Sequence, residues 1–368
     1  MTVVVLLGAA VPAAAQSFDP TLHQKAQDYT DWLIEWHSTG LGGVSDIVFT
    51  DETRTEIYRT WGAGDSEDWT ATYLVTQAIR YLVTGETQAR DEVLRIASYL
   101  HVVKDITGDP GYIARYAAPN EAPWNVEHIG ADNLYVGEGE YADDFWLGHE
   151  SRDKYITWFW GLAWAYEAVD DAAMRQTIRD DFRDVVDTLV SNNWIIVDPW
   201  GDTYAAASVG AGIRIPILAQ VARVLDDPEY TALFDEEYEK ARNTLGLSMF
   251  AFFNKYFEYF AFINNYSSVQ GLFHAMPDRE RFTHFFHNVE KFRPAVLRRR
   301  AQSVFRRRAL RRVPARRKLP GRRTGRDPRR RLPKPARHER RAQLAARVHV
   351  HGPSSRPLFR LGGSDAGE

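Results

Sequence analysis

The sequence contains no cysteine among its 368 residues, so it can form neither a disulfide framework nor a thiolate metal site. Several common catalytic motifs are also missing: the zinc-binding H-E-x-x-H, the phosphate-binding P-loop, the dinucleotide-binding G-x-G-x-x-G and the nucleophile turn G-x-S-x-G. The apolar run at residues 3–15 is too short to cross a bilayer. These absences direct attention to acid and base chemistry by carboxylates, and they predict no membrane span.

The first fifteen residues have the composition of a cleaved export signal. Residues 3–15 are apolar or small and end in Ala13-Ala14-Ala15, which fits the A-x-A cleavage pattern. The first basic residue is Lys25, so the basic segment that usually precedes such a run is missing, and an unstructured greasy terminus is the alternative. We expect a signal peptide at 1–15 and a mature protein in the periplasm or outside the cell.

Charge is divided sharply along the chain. Residues 1–292 hold 21 Lys and Arg against 45 Asp and Glu, a net −24, whereas residues 293–368 hold 25 against 4, a net +21. The two sum to the −3 of the whole chain. The C-terminal segment contains no Trp, Tyr, Ile, Asn or Met, and its runs of arginine cannot form a packed core. We expect a disordered tail at 293–368 beside a folded domain at 16–292.

Two explanations of this tail stay open. One is a basic arm that binds nucleic acid or another anionic polymer. The other is a reading frame that slips near residue 292, since Arg, Pro, Ala and Gly codons are GC-rich. An exported acidic domain has no evident use for a nucleic-acid arm, so we favour the frameshift and expect no nucleic-acid partner. The coding DNA downstream of Lys291 decides between them, because the alternative frame must encode further amphipathic helices.

The folded segment reads as a series of helical hairpins. A leading helix starts at Asp19-Pro20, and three further pairs are predicted at 68–83 with 87–106, 153–168 with 172–193, and 208–224 with 228–246. A weaker fourth pair spans 264–291 with a turn at Pro277-Asp278. The first helix of each pair is apolar on most faces, which is typical of a buried helix, and the second is amphipathic.

Buried first helices inside half-exposed second helices predict an all-α fold, an (α/α) toroid of helical hairpins. A stacked α-solenoid is the alternative, but uneven linkers and many Trp and Tyr residues favour the toroid. A closed toroid needs six pairs, so we expect this one to be incomplete. Strand signals are few, and residues 195–197 are the one short strand that we expect.

Candidate site residues lie at the starts of the inner helices, whose N-terminal ends attract anions. Asp68 and Trp69 open one inner helix, and Asp153 and Tyr155 open the next. Carboxylates, amides and aromatic rings at one mouth suit a sugar, since rings stack on its faces and paired acids can cleave a glycosidic bond. Helix capping is the competing explanation for each aspartate taken alone.

The segment 109–150 is the second candidate, because a long stretch without periodicity in a compact domain is usually functional. We interpret it as a loop folded over the mouth. Its densest acidic cluster runs from Asp143 and Asp144 through His149 and Glu150 to Asp153. Like charges held together raise the pKa of one acid and so supply both an acid and a base. A calcium site built from the same acids, or a solvated acidic loop, is the alternative; no other metal or cofactor is expected. Its candidate substrate-binding residues are Arg115, Trp124, His128, Trp146 and His149.

The hairpins, the Trp-rich helix 155–166 and Asp143-Asp144-Phe145 just before it resemble the six-hairpin glycosidase superfamily over residues 20–290. The aspartate segment is similar to that of unsaturated glucuronyl and rhamnogalacturonyl hydrolases. That resemblance implies that Asp143 or Asp144 acts as general acid and base, although Leu147-Gly148-His149 intervenes here before the helix. The pattern from Ser151 to Tyr166 also resembles exported bacterial proteins of unknown function.

Two functions are compatible with these patterns. The first is an exported carbohydrate-active enzyme, a glycoside hydrolase or polysaccharide lyase, with Asp68, Asp143, Asp144 and Asp153 as catalytic candidates and Trp69, Tyr155 and the aromatic and basic residues of 109–150 as substrate contacts. The second is a non-catalytic glycan-binding or scaffold protein that uses the same mouth, inactive if the fold is truncated. An oligosaccharide or polysaccharide is the expected partner in both.

Overall fold

The computed structural model describes residues 20–204, 206–245, 259–276 and 280–287. Over these ranges the protein is mostly helical, which confirms the predicted class. The predicted signal peptide at 1–15, the hairpin turn at Pro277-Asp278 and the arginine-rich tail at 293–368 lie outside the described residues. Within the described part of the chain, no helix is at once long enough and apolar enough to cross a membrane.

The predicted helical pairs are present, with ends close to those expected from the sequence. A leading helix, α1 (Pro20–Trp32), continues into a π-helical turn at Leu33–His37. The first members of the pairs are α2 (Ser66–Thr84), α4 (Arg152–Ala168), α6 (Ala211–Leu225) and α8 (Tyr259–Ala275). The second members are α3 (Thr87–Asp105), α5 (Ala172–Ser191) and α7 (Pro228–Ala241), and residues 280–287 are helical after α8.

The first members pack on one another in chain order, α2 on α4, α4 on α6 and α6 on α8. Helix α4 is buried on nearly every side, and its Trp158 donates a hydrogen bond from Nε1 to the Leu100 carbonyl of α3 at 2.8 Å. In contrast, α5 buries a single stripe, which consists of Ile178, Phe182, Val185, Val186 and Leu189. First helices therefore form the inner layer and second helices cover them.

Two small antiparallel sheets lie between the helices. Strands β1 (Asp46–Phe49) and β2 (Ile57–Trp61) form a hairpin. Strands β3 (Tyr116–Pro119), β4 (Leu134–Val136) and β5 (Asp144–Leu147) form a sheet in the order β3-β5-β4. Short 3-10 helices occupy Ala63–Asp65 and Gly139–Tyr141.

The second sheet corrects the interpretation of 109–150 as an irregular loop. Its polar backbone groups are paired in a ladder, which lets this segment pack closely against the helices. The strand expected at 195–197 is reduced to one antiparallel bridge between Ile195 and Ser208. That bridge closes a loop between α5 and α6, because the Ile196 N–H also donates to the Ala207 carbonyl at 2.9 Å.

Gly111 allows the chain after α3 to pass directly against α5. A Cβ at this position would lie 2.2 Å from Cβ of Thr188, far inside van der Waals contact. We expect Gly111→Ala to lower the free energy of unfolding by about 1 to 3 kcal/mol, because the packed backbone must shift to admit the methyl group. Gly64→Ala is the matched control, since its Cβ would meet Arg115 Nη1 at an ordinary 3.5 Å. Equal urea midpoints for the two variants would contradict this role of Gly111.

Candidate functional site

The starts of α2 and α4 are joined through one buried lysine. Lys154 Nζ lies 2.6 Å from Asp68 Oδ2, 2.9 Å from Asp65 Oδ1 and 3.0 Å from Asp153 Oδ2. The Thr157 hydroxyl adds hydrogen bonds to Asp68 and, at 3.1 Å, to Glu67 Oε2. The starts of two inner helices therefore meet, as the sequence predicts, and an ammonium group lies where their carboxylates converge.

This lysine cluster is a strongly polar group inside the protein. Burial alone would lower the pKa of Lys154, but the neighbouring carboxylates outweigh burial and raise it above its ordinary value. Burial likewise works against ionised Asp153, yet the Lys154 ammonium holds the pKa of this carboxyl below its usual range. Asp68 is only 1 % exposed. The two predicted catalytic residues Asp68 and Asp153 are thus brought together as ion-pair partners of Lys154.

A cavity of about 420 Å³ opens beside the start of α4. One wall comes from the segment before α4 and the other from the loop between α5 and α6, which is bound to α4 by a hydrogen bond from the Arg152 N–H to the Ala206 carbonyl. The lining residues are Tyr112, Tyr135, His149, Glu150, Ile196, Asp198, Trp200, Asp202, Thr203 and Tyr204. Aromatic rings and carboxylates dominate this list, and such a lining is typical of a site for a small molecule.

Stacked aromatic rings join the two walls of the cavity. Trp200 lies parallel to Trp146, with ring centroids 5.9 Å apart, and its centroid is 4.4 Å from that of Tyr135. On the other side, His149 stacks on Tyr204 with centroids 4.2 Å apart. Trp200 is still 57 % exposed, so part of its surface is accessible to a ligand, whereas Trp146 is buried.

Glu150 is the buried acid of the cavity. It is 1 % exposed, and its Oε1 accepts the Ser151 N–H at 2.7 Å, while its Oε2 has no hydrogen-bond partner among the described residues. Burial raises the pKa of this carboxyl from an ordinary 4.5 to about 8, against the opposing pull of Arg115 and Lys154. The group is therefore mainly protonated at neutral pH and can donate a proton into the cavity.

Arg115 holds the segment that carries Glu150. Its Nε donates to the His149 carbonyl at 2.7 Å, its Nη2 to Ser151 Oγ at 2.9 Å and its Nη1 to the Gly64 carbonyl at 3.0 Å. His149 itself has a φ of 61°, in the left-handed region that a side chain with Cβ rarely adopts. The guanidinium thus fixes a sharp bend that brings the next carboxyl to the cavity, and Arg115, predicted to bind substrate, acts through the backbone.

Asp198 organises the opposite wall. Its Oδ1 accepts the backbone N–H groups of Trp200 at 3.1 Å and Asp202 at 2.7 Å. The Asp198 N–H in turn donates to the Asp202 carbonyl at 2.8 Å, which closes a tight turn. These hydrogen bonds fix the position of the Asp198 side chain in the turn. The cavity therefore has Glu150 on one wall and a second acidic side chain, Asp198, on the other.

The remaining predicted site residues lie outside the cavity lining. Asp143 is exposed, and Asp144 at the start of β5 is partly buried, with burial followed by the charge of Asp143 raising its pKa. Trp124 packs against a small separate core, and the ring of His128 lies 5.8 Å from that of Tyr116, a member of that core. Of the other two, Trp69 packs against the main core and Tyr155 is fully buried, with its hydroxyl donating to the Gly111 carbonyl.

Within the described ranges, no group of three or more acidic or histidine side chains is arranged to hold a metal ion. The acids of the calcium hypothesis are instead separated: Asp143 faces solvent, Glu150 lies in the cavity and Asp153 pairs with Lys154.

The sequence pattern places Glu150 in an acidic cluster without assigning it a role, and it does not single out Asp198 or Trp200 as site residues. An aromatic and acidic stretch between two helices is unusual in a solvent-exposed turn. The one sequence feature that could have indicated this wall of the site is therefore the run Trp200-Gly201-Asp202-Thr203-Tyr204. The inner helix predicted at 208–224 is α6, which begins only at Ala211. The loop that precedes the helix, rather than the helix end, supplies the wall.

Comparison of the chain with protein-family models gave no match, and neither did comparison with curated proteins or with solved structures.

Proposed function

We propose that this protein is a carbohydrate-active enzyme, of the glycoside hydrolase or polysaccharide lyase type, with Glu150 as its general acid. A single observation supports this proposal. A fully buried carboxyl group with a pKa of about 8 lines an aromatic cavity, and one of its oxygens has no partner among the described residues. A carboxyl group kept protonated at neutral pH can protonate the leaving oxygen of a glycosidic bond.

The opposite wall supplies the second carboxylate that such chemistry needs. Asp198 is held by two backbone N–H donors and lines the same cavity. In this role it accepts a proton from water or from the sugar ring, or stabilises positive charge on the ring in the transition state. Trp200 and Tyr204 offer flat apolar faces on which a pyranose ring can stack, as expected for an oligosaccharide or polysaccharide ligand.

We expect Glu150→Gln to lower turnover by about a hundredfold or more, because glutamine keeps the shape of the side chain but cannot donate a proton in this way. The measurement is release of reducing ends, or of unsaturated products, from a panel of polysaccharides and oligosaccharides. For the unmodified protein, kcat/KM should fall as the pH rises through about 8. Glu140→Gln, an exposed glutamate in the same segment, is the matched control and should keep full activity.

The same variant separates an enzyme from a non-catalytic glycan-binding protein. An enzyme loses turnover in Glu150→Gln while it keeps ligand affinity. A binding protein shows saturable binding without product release in either form. If no glycan on the panel is bound or cleaved, both functions are wrong.

We propose further that the four hairpins are part of an (α/α) toroid and that the protein is exported. The layering of α2, α4, α6 and α8 inside α3, α5 and α7 supports the toroid. The apolar run at 3–15 with its A-x-A end supports export to the periplasm or the medium. Sequencing the N-terminus of the secreted protein tests the cleavage site near residue 15.

A further inference from the structure

The cavity carries negative charge that no cation of the described chain neutralises. Asp198 and Asp202 both line it, and neither forms a salt bridge with any Lys or Arg in the described part of the protein. None of the ten lining residues is a lysine or an arginine. The two carboxylates of this aromatic cavity can therefore pair with a ligand that carries a positive charge or donates hydrogen bonds.

The nearby arginine cannot serve as an anion receptor. Arg115 comes within 4.0 Å of Glu150, but its Nε, Nη1 and Nη2 each already donate to the protein itself. Lys154 cannot bind an anionic ligand either, because it is fully buried and surrounded by three carboxylates. A ligand carboxylate placed in this cavity would meet like charge and find no lysine or arginine among the lining residues.

The aromatic walls add a preference for cations. The faces of Trp200 and Tyr204 carry the negative part of the ring quadrupole, so an ammonium group above them is attracted. Glu150 provides a second, independent sign of a ligand, because a carboxyl oxygen buried in the wall has no partner within the described structure. The net charge of −24 over residues 1–292 draws cations toward this domain as a whole.

We propose that the cavity binds an amino sugar with a free ammonium group, held by Asp202 and Asp198 and stacked on Trp200. This inference rests on the proposed function and specifies its substrate class. The ammonium donates to the carboxylates of the turn 198–202, the apolar face of the sugar covers the indole, and the glycosidic oxygen faces Glu150. The cavity selects against uronic acids, although the resemblance to glucuronyl hydrolases implies acidic sugars.

The test uses the full chain and three short oligosaccharides of equal length: glucosamine, N-acetylglucosamine and galacturonic acid oligomers. In isothermal titration calorimetry at low salt, glucosamine oligomers should bind about tenfold more tightly than their acetylated counterparts. One well-placed cation–π contact together with one charge pair contributes a difference in affinity of about this size. The preference should shrink as salt is added, because charge pairing at a partly open site is screened. Galacturonic acid oligomers should not bind in the cavity.

The arginine-rich tail requires a control, since 25 basic residues at 293–368 attract acidic oligomers without any cavity. Only binding that disappears in Trp200→Ala is therefore counted. Because Trp200 is 57 % exposed, this variant should fold as the parent does, which its circular dichroism and thermal midpoint confirm or refute. A Trp200→Ala protein that binds all three oligomers unchanged overturns the proposal.

Charge removal completes the test. Asp202→Asn should abolish the tenfold preference for the ammonium form and leave binding of the acetylated oligomer nearly unchanged. Asp170→Asn is the matched control, because this aspartate is 93 % exposed in the turn after α4, away from the cavity lining, and should keep the preference. Cavity binding that favours uronic acids overturns the inference but leaves the carbohydrate function standing. Absence of binding to any glycan defeats both.

Discussion

Replacing Lys154 with methionine should lower the free energy of unfolding by about 3 to 5 kcal/mol, because it leaves buried carboxylates without their counter-ion. Asp68 is 1 % exposed and has its ammonium partner at 2.6 Å. Methionine fills a similar volume, so the loss reports charge rather than a cavity. The expected change is measured by urea unfolding followed by circular dichroism.

A lysine in a solvated setting provides the contrast. Lys240 pairs with Glu236 and Glu237 on α7, but its side chain is 57 % exposed, so Lys240→Met should leave the urea midpoint nearly unchanged. Removing one buried charge from the partner as well should recover part of the loss. The double variant Lys154→Met with Asp68→Asn should therefore be more stable than Lys154→Met alone. If Lys154→Met costs no more than the Lys240 control, the cluster does not hold α2 and α4 together as we describe.

The second large effect concerns pH. Glu150 binds its proton more tightly in the folded protein, where its pKa is about 8, than in the unfolded chain, where 4.5 is expected. The folded state therefore loses stability as the pH rises from about 4.5 to about 8, and the loss is complete above that range. Glu150→Gln removes the titrating group, so the variant should be more stable than the parent at pH 9, by an amount of the order of 5 kcal/mol, and nearly equal to it at pH 4.

Thermal unfolding of the two proteins at pH 4, 6, 7.5 and 9 measures this difference directly. Glu67, whose pKa burial also raises, is present in both and contributes to both curves. Glu140→Gln, at an exposed position in the same segment, should follow the parent at every pH. A Glu150→Gln curve parallel to that of the parent would show that Glu150 is ionised at no cost, and the proposed general acid would lose its basis. Gained stability together with lost turnover is the signature expected of a strained catalytic group.

The helices were predictable because each carries its own evidence. The buried face of α5 repeats through Ile178, Phe182 and Val185 at helical spacing, and Asp171 caps its start by accepting the Met174 N–H. The run of aromatic residues in α4 likewise predicted that this helix is buried on all sides. Predicted and observed ends differ by a few residues, as fraying helix termini usually do.

The sheet and the cavity were beyond sequence reasoning for physical reasons. Strands β3, β4 and β5 are three or four residues long, too short for alternation to be distinguished from chance, and their pairing joins residues up to 31 positions apart. The acidity of Glu150 depends on burial by distant segments, which leaves no local trace in the sequence. Lys154 likewise reads as an ordinary helical lysine until Asp65 and Asp68 are placed beside it.

The two-sided construction of the cavity has a consequence for the order of events during synthesis. Glu150 leaves the ribosome well before Asp198 and Trp200, which follow 48 and 50 residues later. The loop between α5 and α6 forms the opposite wall, so the cavity around this carboxyl is complete only after the loop has docked on α4. We therefore expect the raised proton affinity of Glu150 to be absent from a chain that ends before this loop.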